Sequence, residues 1–127
     1  MPDAYAGEMK LFTLAVLSIG LSIVAAAAEM PKSVLHIITL HFKPGTTDAD
    51  KVKVLDATKK MAVAFPGITR LWFKKIKVQV PEMTDIIVME FKDDKAFAAY
   101  TDHPAHKAWE AVYMPVRGES NTQDVTN

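Results

Sequence analysis

The sequence predicts one α+β domain with the element order β-α-β-β-α-β, the split βαβ or ferredoxin-like plan: a four-stranded antiparallel sheet with helices on one face. Three observations predict it. Residues 34–43, 68–80 and 85–91 are rich in β-branched and apolar side chains, the composition of strands. The stretches after the first and third runs place apolar residues at helical spacing. Pro44-Gly45 and Pro66-Gly67 punctuate the changes of period. With 127 residues, 50% of them hydrophobic, the chain has room for one core.

Before the first strand stands a different kind of segment. Residues 9–28 open with Lys10, run apolar from Leu11 to Val24 and end in four alanines, the order of a secretory signal peptide. Ala26 and Ala28 supply the small residues of an A-x-A cleavage site, so the mature chain is expected to start at Glu29. The domain reading is therefore residues 1–28 as a signal peptide with a short N-terminal extension and residues 29–127 as the folded domain. The destination is the periplasm or the exterior. An uncleaved anchor is the competing reading, since the segment is about long enough to span a bilayer. Thr13, Ser18, Gly20 and Ser22 make it a poor permanent membrane helix, so no stable span is expected after cleavage.

Within strand one, His36 shares a face with Val34, Ile38, Leu40 and Phe42. Thr47, followed by Asp48 and Asp50, suits a helix N-cap with acids in the first turn. In that helix Val54, Thr58, Met61 and Phe65 form the core stripe, with Lys53, Asp56 and Lys60 opposite. Residues 68–80 read as strand two, its interleaved Lys74, Lys75 and Lys77 marking a wet face or a protected edge. In strand three Ile87, Met89 and Phe91 alternate with Ile86, Val88 and Glu90. Asp93 and Asp94 cap a short helix with Ala96, Phe97 and Tyr100. Pro104 then starts a second one, with an apolar stripe of Ala105, Ala108, Trp109 and Val112. Residues 117–121 read as loop and residues 122–126 as a weak last strand. Trp72, Trp109, Phe97 and Tyr113 fall on the stripes assigned to the core. The sheet face away from the helices lacks a cover within one subunit, so a homodimer is expected.

Composition excludes several functions. Fifteen Lys and Arg balance fifteen Asp and Glu, leaving no summed field to recruit nucleic acid or an anionic surface. Without cysteine there is no disulfide, thiolate site or cysteine nucleophile. No phosphate-cradling glycine loop or G-x-S-x-G elbow occurs. The four histidines show no HxH or HExxH spacing, and His41 faces away from His36, so no metal is expected. No cofactor is expected either.

Two stretches, LHIITLHFKPGT at residues 35–46 and MEFKDDKAFAAYTDHPAHKAW at residues 89–109, resemble the stress-responsive A/B barrel (Dabb) family. The resemblance spans residues 34–116, and HPAH after an aromatic helix is its most specific part. It implies a ferredoxin-like subunit in a dimeric α+β barrel, with a cleft between sheet and helices. Some relatives are polyketide cyclases or other cofactor-free acid-base catalysts. Their functional residues are the strand-one histidine, the second histidine of HPxH and a nearby tyrosine, which match His36, His106 and Tyr100 here. Strand two, LWFKKIKVQV, carries more lysine than the family pattern.

Each candidate also has a plain structural reading. His36 among aliphatic residues fits a hydrogen-bonded core histidine as well as a cleft acid or base. His103, just before Pro104, suits a helix cap. His106 is placed at the margin of the helix stripe, with Glu110 four residues on in reach of a surface ion pair. The function expected is an exported domain binding a small, mostly apolar molecule in the cleft, with cofactor-free acid-base chemistry at His36, Tyr100 and His106. The alternative is a non-catalytic dimeric stress-response or interaction module. A heme-dependent barrel enzyme is a third and poorer fit, because the pocket of so short a domain is small. An open cavity of ~300 Å³ or more favours the first reading, a filled cleft with His36 bonded to backbone the second.

Overall fold

The computed structural model describes residues 26–127. The signal-like segment lies outside the described residues except for its last alanines. The elements are β1 (Val34–Phe42), α1 (Asp48–Ala64), β2 (Ile68–Trp72), β3 (Asp85–Phe91), α2 (Asp94–Tyr100), α3 (Pro104–Tyr113) and β4 (Arg117–Val125). The four strands form one antiparallel sheet in the order β2-β3-β1-β4, the ferredoxin-like arrangement expected from the element order.

Local chemistry sets the boundaries. Gly45 takes φ +85°, the left-handed conformation that ends β1 without the steric penalty of a side chain. Thr47 caps α1 in a capping box: its hydroxyl accepts from the Asp50 amide at 3.1 Å, and the Asp50 carboxylate accepts from the Thr47 amide at 3.3 Å. Asp93 caps α2 by accepting from the Ala96 amide at 2.8 Å.

Alternation along β1 and β3 sends Ile38, Leu40, Ile87, Met89 and Phe91 to the helix side, where all are buried. Each such side chain contributes about 1.5–3 kcal/mol relative to an exposed one. Helix α1 adds Val54, Thr58 and Met61, and α3 adds Trp109 and Tyr113. The two helices are pinned by a buried bond in which the Trp109 indole donates to the Thr58 hydroxyl at 2.8 Å, while Thr58 donates to the Val54 carbonyl at 2.8 Å.

Several sequence expectations are corrected. Strand two ends at Trp72, not Val80. Beyond it the chain folds on itself: the Lys75 ammonium donates to the Met83 carbonyl, and the Met83 amide bonds the Val80 carbonyl at 2.9 Å. Residues 117–121 are strand, not loop, because β4 pairs with β1 from Phe42↔Arg117 to Leu35↔Val125. A ladder needs only backbone groups, so an exposed edge tolerates polar side chains. The buried stripe of α3 is His106, Trp109 and Tyr113. Ala108 and Val112 are exposed, because the helix turns its aromatic residues toward the sheet. Trp72 is 42% exposed and belongs to the sheet face away from the helices, not to the core. Glu90, on that same outer face, is buried beneath Arg70, whose Nη2 donates to its Oε1 at 2.8 Å, and Ser33, which donates to the same oxygen at 2.6 Å.

Candidate functional site

His36 sits mid-way along β1 on the helix-facing side, its side chain 15% exposed. Its ring packs against Tyr100 and Phe97, both at 5.8 Å between centroids, and Phe91 at 6.4 Å. The sheet register puts Asp124 of β4 directly opposite, and the two side chains meet, His36 Nδ1 to Asp124 Oδ1, at 2.5 Å. A carboxylate only accepts, so Nδ1 is the donor and Nε2 is left as the free nitrogen. The histidine is thus bonded to a side chain and not to backbone, an arrangement that holds one tautomer and one ring orientation.

Tyr100 ends α2 and is buried. Its hydroxyl reaches only the weak acceptor Met89 Sδ at 3.7 Å. Burial pushes its pKa well up, reinforced by the charge of Glu110, so the phenol stays protonated and remains a donor. Three residues of turn separate it from Pro104, and this short return lays His106 on the tyrosine ring, centroids 4.2 Å apart. His106 is 8% exposed, more deeply set than the helix margin expected for it. Its Nδ1 lies 2.9 Å from the Thr101 carbonyl, again an acceptor, so Nδ1 donates and Nε2 is free, 3.7 Å from Glu110 Oε1.

The remaining histidines lie elsewhere. His103 accepts from the Ala105 amide at 3.1 Å as the N-cap of α3 and packs edge-on against Phe65 at 4.8 Å. His41 lies against Gly118 on the other face of the strand. Among the described residues no three His, Asp or Glu side chains converge as metal ligands.

His36, Tyr100 and His106 line one cavity of about 200 Å³, together with Trp109, Tyr113 and Arg117. That volume is below the ~300 Å³ of a drug-sized site. The arrangement offers two imidazoles with free Nε2 atoms and one protonated phenol around a space lined by both aromatic and polar side chains. It can abstract a proton at one end and donate a hydrogen bond to an oxygen between.

Three residues of this site were not legible as such in the sequence. Asp124 becomes the partner of His36 only through the β1–β4 register, which a polar strand does not announce. Tyr113 reads as core and is 3% exposed, yet its buried hydroxyl has no hydrogen-bond partner. The Ser120 hydroxyl approaches closely enough to oppose slightly the upward pKa shift that burial causes, but does not reach hydrogen-bond geometry. Arg117, read as loop, starts β4 beside the cavity.

The fold has parallels among solved structures. A Dabb family protein of ferredoxin-like fold from Mesorhizobium loti MAFF303099 matches with 23% identity and TM-score 0.63, over 75% of this chain and 96% of that one. A dimeric ferredoxin-like protein of unknown function from Thermobifida fusca YX matches at 19% identity and TM-score 0.65, over 80% of this chain and 97% of that one. The hydroxynitrile lyase of Passiflora edulis is similar at 11% identity and TM-score 0.68, over 75% and 93% of the respective chains. No curated protein matches the sequence. The family profile described as Stress responsive A/B Barrel Domain matches residues 34–127, and with every described helix and strand covered, the protein belongs to that family.

Proposed function

We propose that this chain is an exported dimeric enzyme that uses the His36, Tyr100 and His106 cleft for cofactor-free acid-base chemistry on a small, mostly apolar carbonyl or phenolic compound. The observation that carries the reading is that His36, held by Asp124, packs beside Tyr100 and both line one cavity. His36 Nε2 takes a proton from a carbon acid or phenol, and Asp124 steadies the imidazolium that forms. Tyr100 donates to the oxygen on which charge develops, since Met89 Sδ binds its hydroxyl only weakly. Returning the proton from His36 to product restores the resting state. Each acid-base group supplies about 10²–10⁴ in rate. The likeness to a hydroxynitrile lyase accords with this use of the fold.

Export rests on the signal-like order of residues 9–28, with removal of residues 1–28 leaving residues 29–127. Dimerisation rests on the outer sheet face. There Leu35, Ile37 and Val88 are half-buried and Trp72 and Val125 exposed, and Leu35, Trp72 and Val125 line a hollow of about 320 Å³ between the sheet and the C-terminus. Neighbours described as dimeric share this fold.

Acetophenone in D₂O tests the chemistry, with deuterium uptake at its methyl group followed by NMR. The protein is expected to accelerate exchange, and His36→Ala to lose most of that acceleration. Equal rates for parent and variant would leave the second reading, a non-catalytic dimeric module, which the small cavity volume favours.

A further inference from the structure

The cavity has two chemically different ends, and only one is used by the acid-base reading. At the far end from His36 stand Tyr113 and Arg117. The Tyr113 side chain is almost wholly buried, and its hydroxyl is the one buried side-chain polar atom without a partner among the described residues. Such a group is costly to bury unless something satisfies it. Beside it the Arg117 guanidinium lies 6.0 Å from the Tyr113 ring centroid and, among the described residues, makes no ion pair. The acids near the cavity are engaged: Asp124 meets His36, and Glu110 lies 3.6 Å from Lys107. The unmatched charge at this end is therefore positive.

Between the two ends runs an aromatic wall. Tyr113 stacks on Trp109 at 4.4 Å and 20°, Trp109 on His106 at 5.7 Å and 25°, and His106 lies against Tyr100 at 4.2 Å. A flat ring or conjugated chain gains most against such a surface.

We infer that the cavity binds a small planar carboxylate, its anionic group held by the Arg117 guanidinium and the Tyr113 hydroxyl and its plane laid along Trp109 and His106 toward His36. Arginine presents its donors in a fork that matches a carboxylate, and the tyrosine hydroxyl supplies a further donor beside it. The volume of about 200 Å³ limits the ligand to roughly a single substituted ring. This deepens the proposed function and rests on the cavity being a ligand site.

Benzoate and its neutral counterpart benzamide distinguish the two claims when titrated into the full chain by calorimetry, with NMR locating the perturbed residues. The parent is expected to bind benzoate at least ~10-fold tighter than benzamide, about 1.4 kcal/mol. Arg117→Gln should abolish that preference by weakening benzoate far more than benzamide, with thermal stability unchanged. Tyr113→Phe should weaken benzoate several-fold, and Arg117→Lys should retain part of the preference. If benzamide binds, perturbs His106 and Trp109, and benzoate binds no better, the cavity remains a ligand site and the carboxylate assignment falls. Should neither compound bind at millimolar concentration, both claims fall.

Discussion

At the scale of single residues, hydrogen-bond partners assign roles that residue type alone leaves open. His36 and His106 both have an acceptor-only group on Nδ1, so each is expected to be the Nδ1–H tautomer when neutral. Nitrogen-15 NMR of the imidazoles checks this: His36 should show one tautomer in the parent and a mixture with Nε2–H in Asp124→Ala. An Nε2–H signal for His36 in the parent would rule out the orientation assigned to it. Glu90 gives a pH signature on the outer face. The Arg70 hydrogen bonds, opposed by burial and aided by Ser33, hold its carboxyl below the ordinary 4.5. A depressed folded pKa contributes stability above the unfolded value and loses it as pH falls through the folded one. The gap in urea midpoint between parent and Glu90→Gln should therefore be constant near neutrality and shrink as pH drops below 4.5; a gap independent of pH would contradict it.

Among the elements, two contacts decide how helix and strand are held. The α1–α3 contact is polar at its centre, since Thr58 is completely buried and accepts from the Trp109 indole. Thr58→Val keeps the shape and leaves the indole N–H unpaired, a loss of about 1–3 kcal/mol in urea denaturation. A loss below a few tenths would mean that the bond is not part of the packing. The β1–β4 contact closes over Gly118, where a Cβ would meet the His41 carbonyl oxygen at 2.6 Å and its ring at 2.7 Å. Backbone at that distance cannot swing aside as a side-chain tip can. Gly118→Ala should therefore destabilise by about 1–3 kcal/mol and loosen β4, seen as faster amide exchange from Ser120 to Asp124. Because Asp124 reaches His36 from that strand, the same substitution should disturb the site from a distance.

For the whole molecule, the two faces of the sheet have different fates. The helix face is filled, and the cavity opens at its edge under α3. The other face keeps Trp72 and Val125 exposed beside half-buried Leu35, Ile37 and Val88. A second copy of this face would bury it, and a stable interface removes about 1,200–2,000 Å² from water. Val88→Glu puts an unpaired charge at its centre and is expected to give a monomer by sedimentation at micromolar concentration, where the parent sediments as a dimer. A monomeric parent at that concentration would end the dimer proposal.

Local signals were sufficient for most of the architecture. Alternation in residues 85–91, the Thr47 cap, the Pro44-Gly45 turn and the apolar spacing of α1 act within a few residues of one another, and each element formed where those signals lie. They also put His36 on the inner strand face and His103 at a helix start. What the chain pattern misread were edges and rotations. Residues 73–80 look like strand but turn back on themselves, residues 117–121 look like loop but borrow a ladder from β1, and α3 faces inward with His106 and Tyr113 in place of Ala108 and Val112. These outcomes depend on which backbone lies alongside and how a helix rolls on the sheet, energies set by contacts between residues far apart in sequence. The candidate site divides in the same way. His36, Tyr100 and His106 were nameable from strand parity and a family-like motif, whereas Asp124, Tyr113 and Arg117 acquire their places only when β4 pairs with β1 and α3 packs over them, because strand register and helix roll are tertiary choices.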